Sequence, residues 1–119
     1  FNFVEDTVAG FVAAINCSEA YGEVINLGSN FEISIADTVS LISSLMKKNI
    51  QIDEDLIRFR PEKSEVERLW AENKKAQTLL DWKPKITGLD GLKDGLQKTI
   101  EWFENADNLS GYRTDRYTV

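Results

Sequence analysis

Arg60-Pro61-Glu62-Lys63-Ser64-Glu65-Val66 puts a guanidinium and a carboxylate on one short segment stiffened by Pro61. The planar donor fork of arginine suits a diphosphate. A carboxylate accepts hydrogen bonds from vicinal sugar hydroxyls. Arg60 and Glu65 are therefore candidates to hold a sugar nucleotide, one at the diphosphate and one at the ribose. The same pair also reads as two solvated surface charges, which contribute little energy. Spacing alone leaves both readings open.

Most other chemistry is excluded by residue type. The chain has no histidine and one cysteine, Cys17. Without histidine there is no Ser/His/Asp or Cys/His set, and the commonest general base and metal ligand are absent. The Asp and Glu residues show no metal-ligand spacing, so no metal is expected. Gly28-Ser29-Asn30 follows an apolar run, but neither G-x-G-x-x-G nor a P-loop pattern occurs. Tyr21, Tyr112 and Tyr117 each lack a lysine four residues on, so none forms a Tyr/Lys proton-transfer pair. No catalytic residue is assigned. Cys17 reads as a small buried or half-buried side chain. Asp6 reads as a helix-start acid, a cap or dipole partner. The Asn26 side chain is expected to bond neighbouring backbone, while Asn30 is open between a structural and a ligand role. Trp70, Trp82 and Trp102 read as core. Lys74 and Lys75 oppose a helix dipole and read as a solvated face, or as neighbours of an anion.

With 119 residues, residues 1–119 form about one domain. Hydrophobic residues make up 42% and charged residues 29%, which fits a soluble globular chain with a small core. The net charge of −6 argues against a nucleic-acid partner, whose affinity rests on neutralising phosphates. One local arginine still suffices for a small anionic ligand. No apolar run approaches the roughly 18 residues of a membrane span. A single cysteine allows no disulfide within the chain, as expected in a reducing cytoplasm. Phe1 is an implausible natural start, so the chain is expected to be a piece of something longer.

The elements that must position these residues follow from periodicity. Val4, Val8, Phe11, Val12 and Ile15 recur at helical spacing and predict a helix over about 5–17. Glu23 to Leu27, between Gly22 and Gly28, predicts a buried strand. Ser34-Ile35-Ala36-Asp37 resembles a capping box. It opens a helix with Ile35, Val39, Ile42, Leu45 and Met46 on one face and Lys47-Lys48-Asn49 at its end. Residues 50–53 alternate like a strand, and 54–72 are irregular with a short strand around 66–69. Asn73 is a cap for a helix to Leu80, with Trp82 packed behind it. Thr87 caps a last helix striped by Leu89, Leu92, Leu96, Ile100 and Phe103. Gly91 and Gly95 lie inside that helix, where each costs about 1 kcal/mol against alanine, so close backbone packing is expected there. The class is α/β, with too few strands for a self-contained doubly wound sheet. Exposed apolar surface, or self-association that covers it, is expected.

Taken in order, Phe1 to Thr7, Gly22 to Gly28, Arg60-Pro61 with Ser64-Glu65-Val66, Leu80-Asp81-Trp82-Lys83-Pro84 and Gly91-Leu92 to Trp102 resemble the C-terminal part of the extended short-chain dehydrogenases/reductases. These are the NAD-dependent sugar-nucleotide epimerases and dehydratases. Ser64-Glu65-Val66 and the Asn108-to-Asp115 tail look most like the 4,6-dehydratase of legionaminic-acid biosynthesis, with GDP-mannose 4,6-dehydratase next. The resemblance implies few strands with several packing helices, the Rossmann core being absent. Arg60 then matches a contact to the diphosphate or ribose, and Glu65 a contact to the ribose hydroxyls. NAD and the catalytic groups belong to an N-terminal part that this sequence does not contain, so the chain alone is expected to bind no cofactor and to be inactive. The implied partner is a GDP- or UDP-linked sugar, and the implied parent is a homodimer.

Overall fold

The computed structural model describes residues 1–53, 68–110 and 112. Arg60 and Glu65 lie outside the described residues. Among the described residues five α-helices follow in order: α1 (Val4–Ile15), α2 (Ile35–Met46), α3 (Lys74–Leu80), α4 (Gly88–Glu104) and α5 (Ala106–Leu109). A single 3-10 turn, Ser18–Ala20, sits between α1 and α2. The helix α1 packs against α3 and against this turn, and α2 packs against α4.

The expected start and stop of α2 form. Ser34 caps α2 by accepting the Asp37 N–H at 3.0 Å, and its hydroxyl donates to the Asp37 carboxylate at 2.6 Å. The short Asp side chain thus engages the cap hydroxyl, where the longer Glu of a full capping box would reach back to backbone. Lys47 ends α2 in the left-handed region, with Lys48 N–H bonded to Ser43 O. Helix α1 stops at Ile15, two residues short of the expected end, which puts Cys17 outside it. Gly91 and Gly95 are tight as expected. A Cβ on Gly91 would lie 3.0 Å from the Ile86 carbonyl carbon, and one on Gly95 3.2 Å from Ile86 Cγ2 and 3.3 Å from Phe3 Cδ2.

The expected strands do not form among the described residues. Residues 23–27 and 50–53, and residues 68–69 of the third, carry no ladder. A strand exists only by pairing, and the described residues offer no neighbour to these apolar runs. Among the described residues the fold is therefore helical, and the expected mixed α/β class is not seen in them.

Asp6 joins the two halves of the described chain. It is buried in the first turn of α1, 5% exposed. Its carboxylate accepts the N–H of Lys85 and of Ile86, each at 2.9 Å, and its carbonyl accepts Trp82 Nε1–H at 3.0 Å. The acid at the helix start is structural, as read from sequence, but it serves a segment 79 and 80 residues away and not its own helix. Trp82 is buried behind α3 as expected.

The core is small. Among the described residues the buried apolar side chains are Ala20, Ala76, Trp82 and Ile100. The stripe of α1 that looked like a core face points outward: Val4, Val8, Phe11, Val12 and Ile15 are 52–71% exposed. Trp70 and Trp102, also expected in the core, are exposed. Periodicity shows that a face is apolar and says nothing about whether a neighbour covers it.

Replacing Asp6 with Ala orphans two backbone donors, so it should lower stability by about 3 kcal/mol in chemical denaturation. Phe11→Glu on the exposed stripe should change stability by less than about 0.5 kcal/mol and reduce binding of an apolar-surface dye. A large loss of stability in Phe11→Glu would mean that the stripe is covered in solution.

Candidate functional site

Among the described residues the backbone from Leu27 to Ser29 has no strand partner, and side chains from three distant segments bond it in place of one. Asn2 Nδ2 donates to Leu27 O at 2.8 Å. Asn73 does two things at once: its Oδ1 accepts the Gly28 N–H at 2.9 Å and its Nδ2 donates to Gly28 O at 2.5 Å. Thr87 Oγ1 donates to Ser29 O. Asn73 and Thr87 were both read from sequence as helix caps. They stand at the cap positions of α3 and α4, yet neither side chain caps its helix. At α3 the Glu72 carboxylate takes the Lys74 N–H at 2.6 Å instead. Gly28 fits only because it has no side chain, since a Cβ there would collide with Ala71 Cβ.

The pinned turn walls a cleft of about 440 Å³. Asn2, Asn26, Asn30, Phe31, Trp70 and Ala71 contribute to its lining. Asn30 takes a left-handed φ of 54°, a conformation that asparagine tolerates better than most residues. Asn26, expected to bond neighbouring backbone, makes no hydrogen bond to another described residue and faces the cleft. Trp70, expected in the core, stands at the rim with 56% of its surface exposed. Amide groups and an exposed indole beside a polar cleft can engage hydroxyls and a flat ring.

A second cleft shares Phe1, Phe31 and Leu69 with the first and adds Glu32 and Arg68. Arg68 grips Glu32 with two nitrogens: Nε lies 3.1 Å from Oε2, and Nη2 bonds Oε1. These hydrogen bonds hold the Glu32 carboxyl below its ordinary value of 4.5 and raise the Arg68 guanidinium. Lys75, read as a solvated face, pairs with Glu23 at 2.6 Å, and that bond likewise lowers the Glu23 carboxyl. Cys17 is half-buried with its thiol on Leu79 O at 3.2 Å, a structural position. No group of metal-ligating side chains occurs among the described residues. No helix among them is long and apolar enough to cross a membrane. Sequence reasoning missed Asn2, Glu32 and Arg68 altogether; only the pairing of Leu27-Gly28-Ser29 with remote side chains reveals Asn2 and Asn73.

Residues 1–95 match the family model described as GDP-mannose 4,6 dehydratase. The chain belongs to this family. That is the NAD-dependent sugar-nucleotide epimerase and dehydratase family which the sequence resembles. A UDP-glucuronate 4-epimerase of Thermodesulfobacterium geofontis is 30% identical over 86% of this chain and 29% of its own length. A dTDP-D-glucose 4,6-dehydratase of Mus musculus is 30% identical over 87% of this chain and 28% of its own length. The crystal structure of a Bacillus cereus UDP-glucuronic acid 4-epimerase mutant, in complex with UDP-4-deoxy-4-fluoro-glucuronic acid and NAD, superposes with a TM-score of 0.71. It is 28% identical, over 87% of this chain and 31% of that one. The chain thus spans less than a third of each of these proteins.

The Glu32–Arg68 pair predicts a pH effect of defined sign. A carboxyl lowered in the folded state contributes stability above its unfolded value, and that contribution is lost as pH falls through the folded value. The Glu32 contribution should be complete above pH 4.5 and disappear below it. In an NMR titration of the Glu32 carboxyl carbon, Arg68→Ala should return the midpoint to the ordinary glutamate range. An unchanged midpoint would show that Arg68 is not the cause.

Proposed function

We propose that this chain is the sugar-nucleotide-binding portion of an NAD-dependent nucleotide-sugar 4,6-dehydratase. The observation that carries the reading is the family match over residues 1–95. The cleft beside Trp70, rich in amide side chains, supports it as a place for hydroxyl-bearing ligand groups. In this reading Arg60 binds the diphosphate or ribose and Glu65 takes the ribose hydroxyls. Within the class, Ser64-Glu65-Val66 and the Asn108-to-Asp115 tail favour the legionaminic-acid-type dehydratase.

The described residues do not fit NAD. They hold no glycine-rich cradle, and the N–H of Gly28 is already taken by Asn73. When bound, NAD supplies the oxidation and the returning hydride of such reactions, and we assign that chemistry to a part of the parent protein outside this chain. The parent is proposed to be a cytoplasmic homodimeric lyase acting in surface-glycan sugar synthesis, and this chain alone to turn over no substrate.

A second reading, the same portion of a nucleotide-sugar 4-epimerase or decarboxylase, is favoured by the likeness to the UDP-glucuronate 4-epimerases. A third, a non-catalytic module that self-associates, is favoured by the uncovered stripe of α1.

Titration of isotope-labelled chain with GDP, UDP and their sugar conjugates separates these readings. Shifts around Arg60 to Val66 that vanish in Arg60→Ala are expected, and the tighter base assigns the ligand class. Absence of any shift at millimolar ligand would overturn the binding reading, and dimers in sedimentation would then favour the third.

A further inference from the structure

The buried Asn73 side chain does more than fill space at the start of α3. It is 2% exposed, and both ends of its carboxamide are spent on one residue, Gly28. It reads the backbone of Gly28 as a neighbouring strand would, with one donor and one acceptor. Thr87 holds the next carbonyl, Ser29 O. With these groups fixed, no hydrogen bond among the described residues takes the N–H of Ser29 or Asn30. Both residues line the cleft, together with the Asn26 and Asn30 side chains.

We propose that Asn73 is a positioning residue for ligand: by clamping Gly28 it presents the Ser29–Asn30 backbone and the Asn26 and Asn30 amides to the oxygens of a nucleoside diphosphate sugar. The inference rests on the reading of the cleft as the sugar-nucleotide site. Asn73 does not line the cleft; it acts through Gly28. Asn2 and Thr87 hold the flanking carbonyls, but among the described residues only Asn73 engages Gly28 itself, and no strand pairs with it there. Binding sites require their contacting groups to be held within about 0.5 Å, so a released turn loses affinity even in a folded chain.

Geometry supplies a second, independent way to move the turn. Gly28 has no left-handed φ, so the obstacle to a side chain there is contact with Ala71 Cβ. Gly28→Ala should displace the turn with Asn73 intact. Adding Ala71→Gly removes the opposing methyl and should let the turn return.

The test titrates labelled chain with UDP-glucuronic acid and GDP-mannose while recording amide exchange at Gly28. Wild type is expected to bind one of them and to protect the Gly28 amide. Asn73→Ala and Gly28→Ala should each weaken binding about tenfold or more, Asn73→Ala should expose the Gly28 amide, and Gly28→Ala with Ala71→Gly should recover affinity. Trp82→Phe, which loses the bond to Asp6 O and lies off the cleft, should lower stability with unchanged affinity. If Asn73→Ala does not fold, the Gly28→Ala and double-variant pair decides alone. Binding by wild type with equal affinity in folded Asn73→Ala and Gly28→Ala would overturn the positioning role and leave the site reading standing. No binding by wild type would overturn both.

Discussion

Everything near the cleft depends on how the unpaired backbone of Leu27, Gly28 and Ser29 satisfies its polar groups. A buried peptide N–H or C=O without a partner costs as much as a lost hydrogen bond. In a sheet the neighbouring strand would supply the partners. Here Asn2, Asn73 and Thr87 supply them from three places in the sequence. That substitution fixes the starts of α3 and α4 against one turn, and so fixes the cleft. It also explains why Asn73 and Thr87 do not cap α3 and α4: both side chains are engaged elsewhere.

Asp6 applies the same device on the other side. One buried carboxylate collects two backbone donors from the Lys85–Ile86 segment, and the carbonyl of the same residue receives Trp82. Among the described residues no buried side-chain nitrogen or oxygen lacks a partner. A chain with so few buried apolar side chains is thus joined largely by side-chain-to-backbone hydrogen bonds. Such bonds are directional, which gives a defined shape where a thin core would not.

The uncovered stripe of α1 and the missing ladders express one fact. An apolar helix face and an apolar extended run each need a second layer. The chain spans less than a third of the relatives that share its family, and within the described residues it supplies no such layer. The expectation of exposed apolar surface came from counting strands, and the exposure of Val4, Val8, Phe11, Val12 and Ile15 agrees with it.

Local signals decided what the sequence could decide alone. Helical spacing, the Ser34 cap and the Lys47 stop are short-range, because they depend on residues within one or two turns. The motif series from Phe1 to Trp102 carried the family, and the match over residues 1–95 agrees. The tertiary structure alone decided the fate of each local preference. It turned two expected caps into clamps, sent Trp70 to a rim and left two apolar runs without a ladder. The reason is that a carboxamide, an indole or a strand is defined by the partner it finds. The partners of Gly28 and Asp6 lie 45 to 80 residues away along the chain, beyond the reach of any local pattern.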